Sequence, residues 1–149
     1  MRKLIGLIMA ATLALLSIAL AADEAPAATA TLISQGELQL QNNDIDGAIA
    51  TLTRAVASEP GSSLARTRLG GAYLLGQRYD EAIDQFQQAI GLDADNASAF
   101  IGMGIAYLHS DRLSAAKAAL GEARRLDPDK AAEIDDLISR IDQRSGESH

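Results

Sequence analysis

The chain has 149 residues, of which 48% are hydrophobic, 3% aromatic and 22% charged, and it contains neither cysteine nor tryptophan. The lack of cysteine excludes a disulfide-stapled miniprotein, a thiol enzyme and a site in which cysteine holds zinc or an iron–sulfur cluster. The formal net charge of −7 argues against nucleic acid as a partner, because proteins that bind phosphate backbones carry a basic patch.

The N-terminal segment has the three parts of a secretory signal peptide. Two basic residues, Arg2 and Lys3, precede an apolar run over residues 4–20, which ends in the small-residue cleavage site Ala19-Leu20-Ala21. We predict a signal peptide over residues 1–21. No cysteine follows the apolar run to carry a lipid, so the cleaved protein is predicted to be periplasmic or secreted, with no stable membrane insertion.

The alternative is an uncleaved membrane anchor. The apolar run over residues 4–20 is close to the lower length limit for spanning a bilayer. Cleavage is favoured because small residues form the site and polar, acidic residues follow it. The loss of Arg2 and Lys3 on cleavage would change the net charge from −7 to −9.

The rest of the sequence repeats at a spacing of 34 residues. The residues that align at this spacing are Gly36, Gly70 and Gly104, then Ala48, Ala82 and Ala116, then Ala55, Ala89 and Ala123. A period of this size is typical of stacked supersecondary units. Between the turn-forming residues we predict helices over about 29–42, 46–58, 63–76, 80–92, 97–110 and 114–126.

The second and third repeats carry a recognisable pattern. The second has Leu69-Gly70, Tyr73, Ala82 and Phe86, and the third has Met103-Gly104, Tyr107, Ala116, Leu120 and Pro128. On these residues the chain resembles the tetratricopeptide repeat (TPR) family over roughly residues 29–128. The first repeat departs from the pattern, with Gln35 and Gln39 where leucine and tyrosine are expected, as is common for a terminal repeat.

A seventh helix is predicted after Pro128. Its apolar residues follow the helical spacing i, i+3, i+4, i+7 and are Ile134, Leu137, Ile138 and Ile141. We expect this helix to cover the apolar flank of the last repeat. The fold class is therefore predicted to be all-α, an α-solenoid of three TPR-like helix-turn-helix repeats plus a C-terminal capping helix.

The predicted boundaries follow from the repeat and the turn residues. They are a flexible linker over 22–28, a domain over 29–143 with repeats over about 29–62, 63–96 and 97–130 and a capping helix over 131–143, and a flexible tail over 144–149. The small residues at the repeated Gly and Ala positions are expected to let paired helices approach closely, which offsets the roughly 1 kcal/mol that glycine costs inside a helix.

Motifs for chemistry are weak throughout the sequence. The stretch from Asn42 resembles a calcium-binding loop, but its twelfth position is Thr53 instead of glutamate, and it coincides with a predicted turn. His109 lacks the partners of a metal ligand or catalytic base. Neither a phosphate-binding glycine loop nor a nucleophile elbow occurs. We predict no catalytic residue, no metal site and no cofactor.

A second apolar stripe lies opposite the inward face of the first helix in each repeat. The resemblance implies that this side lines the concave groove in which TPR proteins hold segments of a partner. The predicted groove residues are Leu64, Arg68, Leu74, Leu75, Ile101, Ile105 and Leu108. The alternative is that the stripe packs against the helices of the neighbouring repeat, and a mixture of the two is also consistent with the pattern.

Some TPR domains grip the C-terminal carboxylate of chaperones with Lys, Asn and Arg at set groove positions. Here those positions hold Ile33, Glu37, Arg68, Ser98 and Gly102, so that clamp is not reproduced. The sequence therefore predicts a non-catalytic protein-interaction module or assembly scaffold in a bacterial periplasm, which holds an apolar or amphipathic partner segment. The alternative function is a structural homo-oligomer that uses the same apolar surface.

Overall fold

The computed structural model describes residues 26–146, which form helices and contain no strand. The predicted signal peptide over residues 1–21 lies outside the described residues. Within the described range the α-helices are α1 (residues 26–41), α2 (Ile45–Ser58), α3 (Ser63–Leu75), α4 (Tyr79–Leu92), α5 (Ala97–His109), α6 (Leu113–Leu126) and α7 (Ala131–Gly146). A short 3-10 helix, Pro128–Lys130, precedes α7. Not one of these helices combines the length and apolarity needed to cross a membrane.

The helices pair into hairpins that stack in chain order. α1 packs on α2, α3 on α4 and α5 on α6, and successive hairpins meet because α2 also packs on α3 and α4 on α5. α3 contacts α5 as well, so the first helices of these hairpins lie side by side, and α7 packs on α6. The predicted all-α solenoid of three hairpins with a C-terminal helix is confirmed.

Each hairpin turn uses one residue in the left-handed region of backbone space. These residues are Asn43, Gln77 and Asp111, with φ of 60°, 59° and 61°. They recur with the period of the sequence repeat and follow the last turn of α1, α3 and α5. At the second turn, the Gln77 N–H donates to the Leu74 carbonyl at 3.0 Å and the Arg78 N–H to the Tyr73 carbonyl at 2.9 Å. This pattern satisfies the carbonyls at a helix end and reverses the chain into the next helix.

Close helix packing explains the repeated glycines. A Cβ atom at Gly36, Gly70 or Gly104 would lie 2.6 Å from Leu52 Cγ, 2.7 Å from Phe86 Cε1 or 2.8 Å from Leu120 Cγ, respectively. The three large side chains recur with the same period as the glycines and are almost fully buried. Each hairpin thus sets a glycine of its first helix against a large apolar residue of its second. The predicted packing role of these glycines is confirmed.

The C-terminal helix closes the last hairpin. Ile134 and Ile141 are fully buried in one cluster with apolar residues of α6, including Leu120. Ion pairs add to this contact, since Lys117 Nζ lies 2.6 Å from an Asp142 carboxylate oxygen across the α6–α7 interface. α7 therefore covers the apolar flank of the third repeat.

Two predicted boundaries need correction. The structure is already helical at Pro26, so residues 26–28 belong to α1 and not to a flexible linker. The two alanines that follow Pro26 favour a helix. At the other end, α7 continues to Gly146 through part of the predicted tail. Arg144 anchors this end by pairing with Asp111 at 3.1 Å. Residues 22–25 and 147–149 lie outside the described residues.

Candidate functional site

Three adjoining depressions lie on the side of the solenoid formed by α1, α3 and α5, and together we call them the groove. The apolar depression, of about 340 Å³, is lined by Leu40, Thr67, Arg68, Gly71, Leu74, Leu75, Phe86, Ser98, Ile101 and Gly102. The acidic depression, of about 380 Å³, is lined by Ser63, Leu64, Thr67, Arg68, Asp93, Asp95, Asn96, Ala97 and Ser98. The N-terminal depression, of about 430 Å³, is lined by Pro26, Thr29, Ala30, Ile33, Ser34, Glu37, Glu59, Ser62, Leu64 and Arg68.

The apolar depression exists because glycine replaces side chains at its base. Gly102 lies against the Phe86 ring, where a Cβ would stand 2.3 Å from Phe86 Cζ, and no atom would lie within 4 Å of a Cβ at Gly71. Leu75 keeps 60% of its surface exposed at the edge of this space. An apolar side chain of another molecule that entered this space would bury its own surface and that of Leu75. Removal of apolar surface from water is the main favourable term in association.

Arg68 occupies the centre of the groove, because it lines all three depressions. Its Nε donates to a carboxylate oxygen of Glu37, so the ion pair joins α3 to α1. Both side chains are 40% exposed. The pair neutralises the charge of Arg68 and lies in contact with water, which weakens its contribution to stability.

Asn96 organises the floor of the acidic depression. Its Oδ1 accepts from the Ala99 N–H at 2.9 Å and so caps the N-terminus of α5. Its Nδ2 donates to Ser63 Oγ at 2.8 Å and to Thr67 Oγ1 at 2.9 Å, both on α3. The network fixes the distance between α3 and α5 along this part of the groove.

The predicted groove residues divide into two sets. Arg68, Leu74, Leu75 and Ile101 line the apolar depression, and Leu64, 50% exposed, lines the other two. Ile101 also packs against the core cluster that contains Ile134 and Ile141 of α7, whereas Leu108 packs against this cluster and lines none of the depressions. Ile105 is half-buried and lines none of the three depressions. Part of the stripe therefore lines the depressions, and the end that carries Leu108 packs against the cluster formed with the capping helix α7.

The acidic residues of the groove were missed by sequence reasoning. Asp93 and Asp95 lie in the turn before α5, where acidic residues are common and carry no signal of their own. Glu59 lies at the equivalent place before α3. Glu59 and Asp93 occupy equivalent positions in successive repeats, and this equivalence is the one sequence feature that could have identified them as groove residues.

Other polar motifs have structural explanations. Asp44, in the calcium-like stretch, accepts from the Gly47 N–H at 3.0 Å and caps α2. His109 stacks on Tyr79 with ring centroids 5.4 Å apart. No group of three or more His, Cys, Asp or Glu side chains suited to hold a metal ion occurs among residues 26–146.

Shifted pKa values fall outside the groove. The Arg78 guanidinium donates two hydrogen bonds to Glu81 and lowers the pKa of that carboxyl, and Arg125 has the same effect on the pKa of Glu122. Both are exposed pairs three residues apart in sequence. They are surface ion pairs, which perturb pKa values without any catalytic role.

The comparison with protein families agrees with this architecture. Two family models, both described as tetratricopeptide repeat, match residues 33–98 and residues 74–141. The chain belongs to the tetratricopeptide repeat family. No curated protein sequence matches the chain at a significant level.

Solved structures share the fold at low sequence identity. The second TPR domain of human RPAP3, in complex with the HSP70 peptide SGPTIEEVD, is 25% identical, with a TM-score of 0.74 over 79% of this chain and 98% of that one. The TPR2B domain of yeast Sti1 in a complex with Hsp70 is 21% identical, with a TM-score of 0.76 over 78% and 98%. The Yersinia enterocolitica type III secretion translocator chaperone SycD, in an alternative dimer, is 17% identical, with a TM-score of 0.75 over 79% and 94%.

Proposed function

We propose that this protein is an exported interaction module that holds an apolar or amphipathic segment of a partner protein in the groove. TPR domains are protein–protein interaction modules and are generally non-catalytic, and structures with this fold bind peptides. The main support for the proposal in this chain is the apolar depression, where Leu75 is 60% exposed and lies with Leu74 and Ile101. An exposed leucine that continues into other apolar side chains in a hollow is typical of a binding surface.

The residues of the groove favour an apolar segment over an acidic one. The HSP70 peptide bound by the human RPAP3 domain ends in Glu-Glu-Val-Asp. In this chain the clamp positions include Ser98 and Gly102, which carry no charge, and Arg68 is already paired with Glu37. An apolar segment is supported because most of the surface of the apolar depression is hydrocarbon.

Leu75→Asp is expected to weaken binding of an uncharged amphipathic peptide of Leu, Ala and Gln by at least tenfold, about 1.4 kcal/mol. Its side chain is exposed in the free protein, so the free energy of unfolding is expected to change by about 0.5 kcal/mol or less. Fluorescence anisotropy measures the Kd and thermal melting the stability.

Leu92→Asp is the matched control. Leu92 is 47% exposed on α4 and lines none of the three depressions. We expect it to leave the Kd within twofold of the unaltered protein. If both substitutions weaken binding equally, or if neither weakens it, the binding surface lies elsewhere.

Self-association is the second candidate function. Leu64 and Leu75, which both belong to α3 and line the groove, are 50% and 60% exposed. A second copy could bury them in a symmetric interface. Light scattering decides between the candidates, since a monomer at micromolar concentration rules out the homo-oligomer.

Export is supported by the sequence of the N-terminal segment. We expect mass spectrometry of the protein from its native cell to find Ala22 at the mature N-terminus, because Ala19 and Ala21 provide the cleavage site. Ala21→Arg is expected to block cleavage. Retention of Met1 by the unaltered protein in the membrane fraction would show instead that the segment is an anchor.

A further inference from the structure

We propose that the partner segment held in the groove is apolar and flanked by lysine or arginine, with apolar side chains in the apolar depression and a cationic side chain at the acidic depression. This inference rests on the proposed function and adds the charge of the partner. It follows from the connection between the depressions and from the balance of charges along them.

The two depressions form one continuous surface. They share Thr67, Arg68 and Ser98, which belong to α3 and α5. A segment seated on Leu74, Leu75 and Ile101 would therefore adjoin the acidic depression at these shared residues.

The charges that line the groove are mostly negative. The acidic residues are Glu37, Glu59, Asp93 and Asp95, and the one base among the lining residues is Arg68. Glu37 pairs with Arg68, so these two charges cancel. Within the part of the chain that the structure describes, the carboxylates of Glu59, Asp93 and Asp95 are left without a side-chain cation at salt-bridge distance.

The surroundings of the aspartates support this balance. Asp93 Oδ1 accepts from the Asp95 N–H at 3.1 Å, a bond that shapes the turn and leaves the carboxylate charge in place. Arg125, a base that interacts electrostatically with Asp95, donates two hydrogen bonds to Glu122. Asp93 and Asp95 are both exposed. They can therefore meet a cation from a partner without losing an existing one.

A helix-stabilising role explains part of this pattern and makes a different prediction. Acidic groups next to the N-termini of α3 and α5 interact favourably with the helix dipoles. That role needs no partner and gives no preference among peptides. A binding role predicts a preference for cationic over anionic segments that weakens with salt, because charges of opposite sign attract across an interface and salt screens them.

The test uses three labelled amphipathic peptides with identical apolar residues and with Lys, Gln or Glu at the flanking positions. Fluorescence anisotropy with the protein that begins at Ala22, the form that the proposed export yields, gives each Kd at 50 and 500 mM NaCl. We expect the Lys peptide to bind about tenfold more tightly than the Glu peptide at 50 mM NaCl, and the ratio to fall to about twofold at 500 mM.

Asp93→Asn with Asp95→Asn tests the site directly. The amide oxygen of asparagine preserves the acceptor in the turn while two charges are removed. At 50 mM NaCl we expect the Kd of the Glu peptide to exceed that of the Lys peptide by about threefold or less, and the Kd of the Gln peptide to stay unchanged. The matched control is Asp129→Asn with Glu133→Gln, which removes two charges outside the groove and is expected to keep the full ratio.

Each contrary outcome has a distinct meaning. If Leu75→Asp weakens binding of the Gln peptide but the Lys and Glu peptides bind the unaltered protein equally, the charge inference is wrong and the proposed function stands. If none of the peptides binds, both are wrong. If Leu75→Asp dissociates a dimer, the groove holds a second copy, and the inference of a separate partner is overturned.

Discussion

Removal of residues 131–149 is expected to lower the free energy of unfolding by about 3–6 kcal/mol, because Ile134 and Ile141 are fully buried and burial of each isoleucine contributes about 1.5–3 kcal/mol. The loss also exposes Leu120, which packs with them at the third hairpin. Urea denaturation followed by circular dichroism measures the change. Aggregation of the shortened chain is expected, because its last apolar flank meets water.

Single substitutions keep this prediction measurable if the shortened chain does not fold. Ile141→Ala leaves α7 in place and is expected to destabilise by about 2–5 kcal/mol. Asp136→Ala is the control on the same helix, since Asp136 is 60% exposed and pairs with Arg140 of α7 itself; we expect a change of about 0.5 kcal/mol or less. An Ile141→Ala protein as stable as the unaltered one would show that α7 is not docked.

The hairpins could be predicted because their main determinants are local and periodic. Gly70 and Phe86 occupy fixed places in the repeat, and the structure brings them into contact as that pattern requires. The turns obey the same period, with Asn43 and Gln77 in the left-handed region. A determinant that lies within one repeat, and is copied in the next, can be read from one sequence.

The extent of the groove could not be predicted in this way. α5 is apolar on nearly all sides, and helical periodicity alone does not tell which stripe meets a neighbour. The structure resolves this because α5 packs against α3, α4 and α6, while the end that carries Leu108 joins the cluster formed with α7. The end of α7 depends in turn on Arg144 and Asp111, which lie far apart in sequence. Such contacts between distant residues have no local signal.

Phe86→Ala is expected to lower the free energy of unfolding by about 3–5 kcal/mol, the usual cost of losing a buried phenylalanine. The ring is 2% exposed and lies between α3 and α5, against Gly70 and Gly102. Its removal leaves a cavity that these two rigid helices cannot fill. Denaturation in urea measures the effect.

The same ring explains why position 102 is a glycine. One repeat earlier, Leu52 occupies the place of Phe86 and Arg68 that of Gly102. The larger ring therefore requires the smaller neighbour, since a Cβ on Gly102 would lie 2.3 Å from Phe86 Cζ. Gly102→Ala is expected to destabilise by about 1–3 kcal/mol through overpacking.

A double-mutant cycle tests this pairing. With Phe86→Leu, the residue used in the other two hairpins, Gly102→Ala is expected to become neutral or to stabilise by about 0.5–1 kcal/mol, the usual gain of alanine over glycine in a helix. Gly71→Ala is the control, because a Cβ there meets no atom within 4 Å, and it is expected to stabilise in either background. If Gly102→Ala costs the same with Phe86 and with leucine, the ring does not dictate the glycine. If the cycle shows coupling, the contact that holds α4 between α3 and α5 is also the one that keeps the floor of the apolar depression free of side chains.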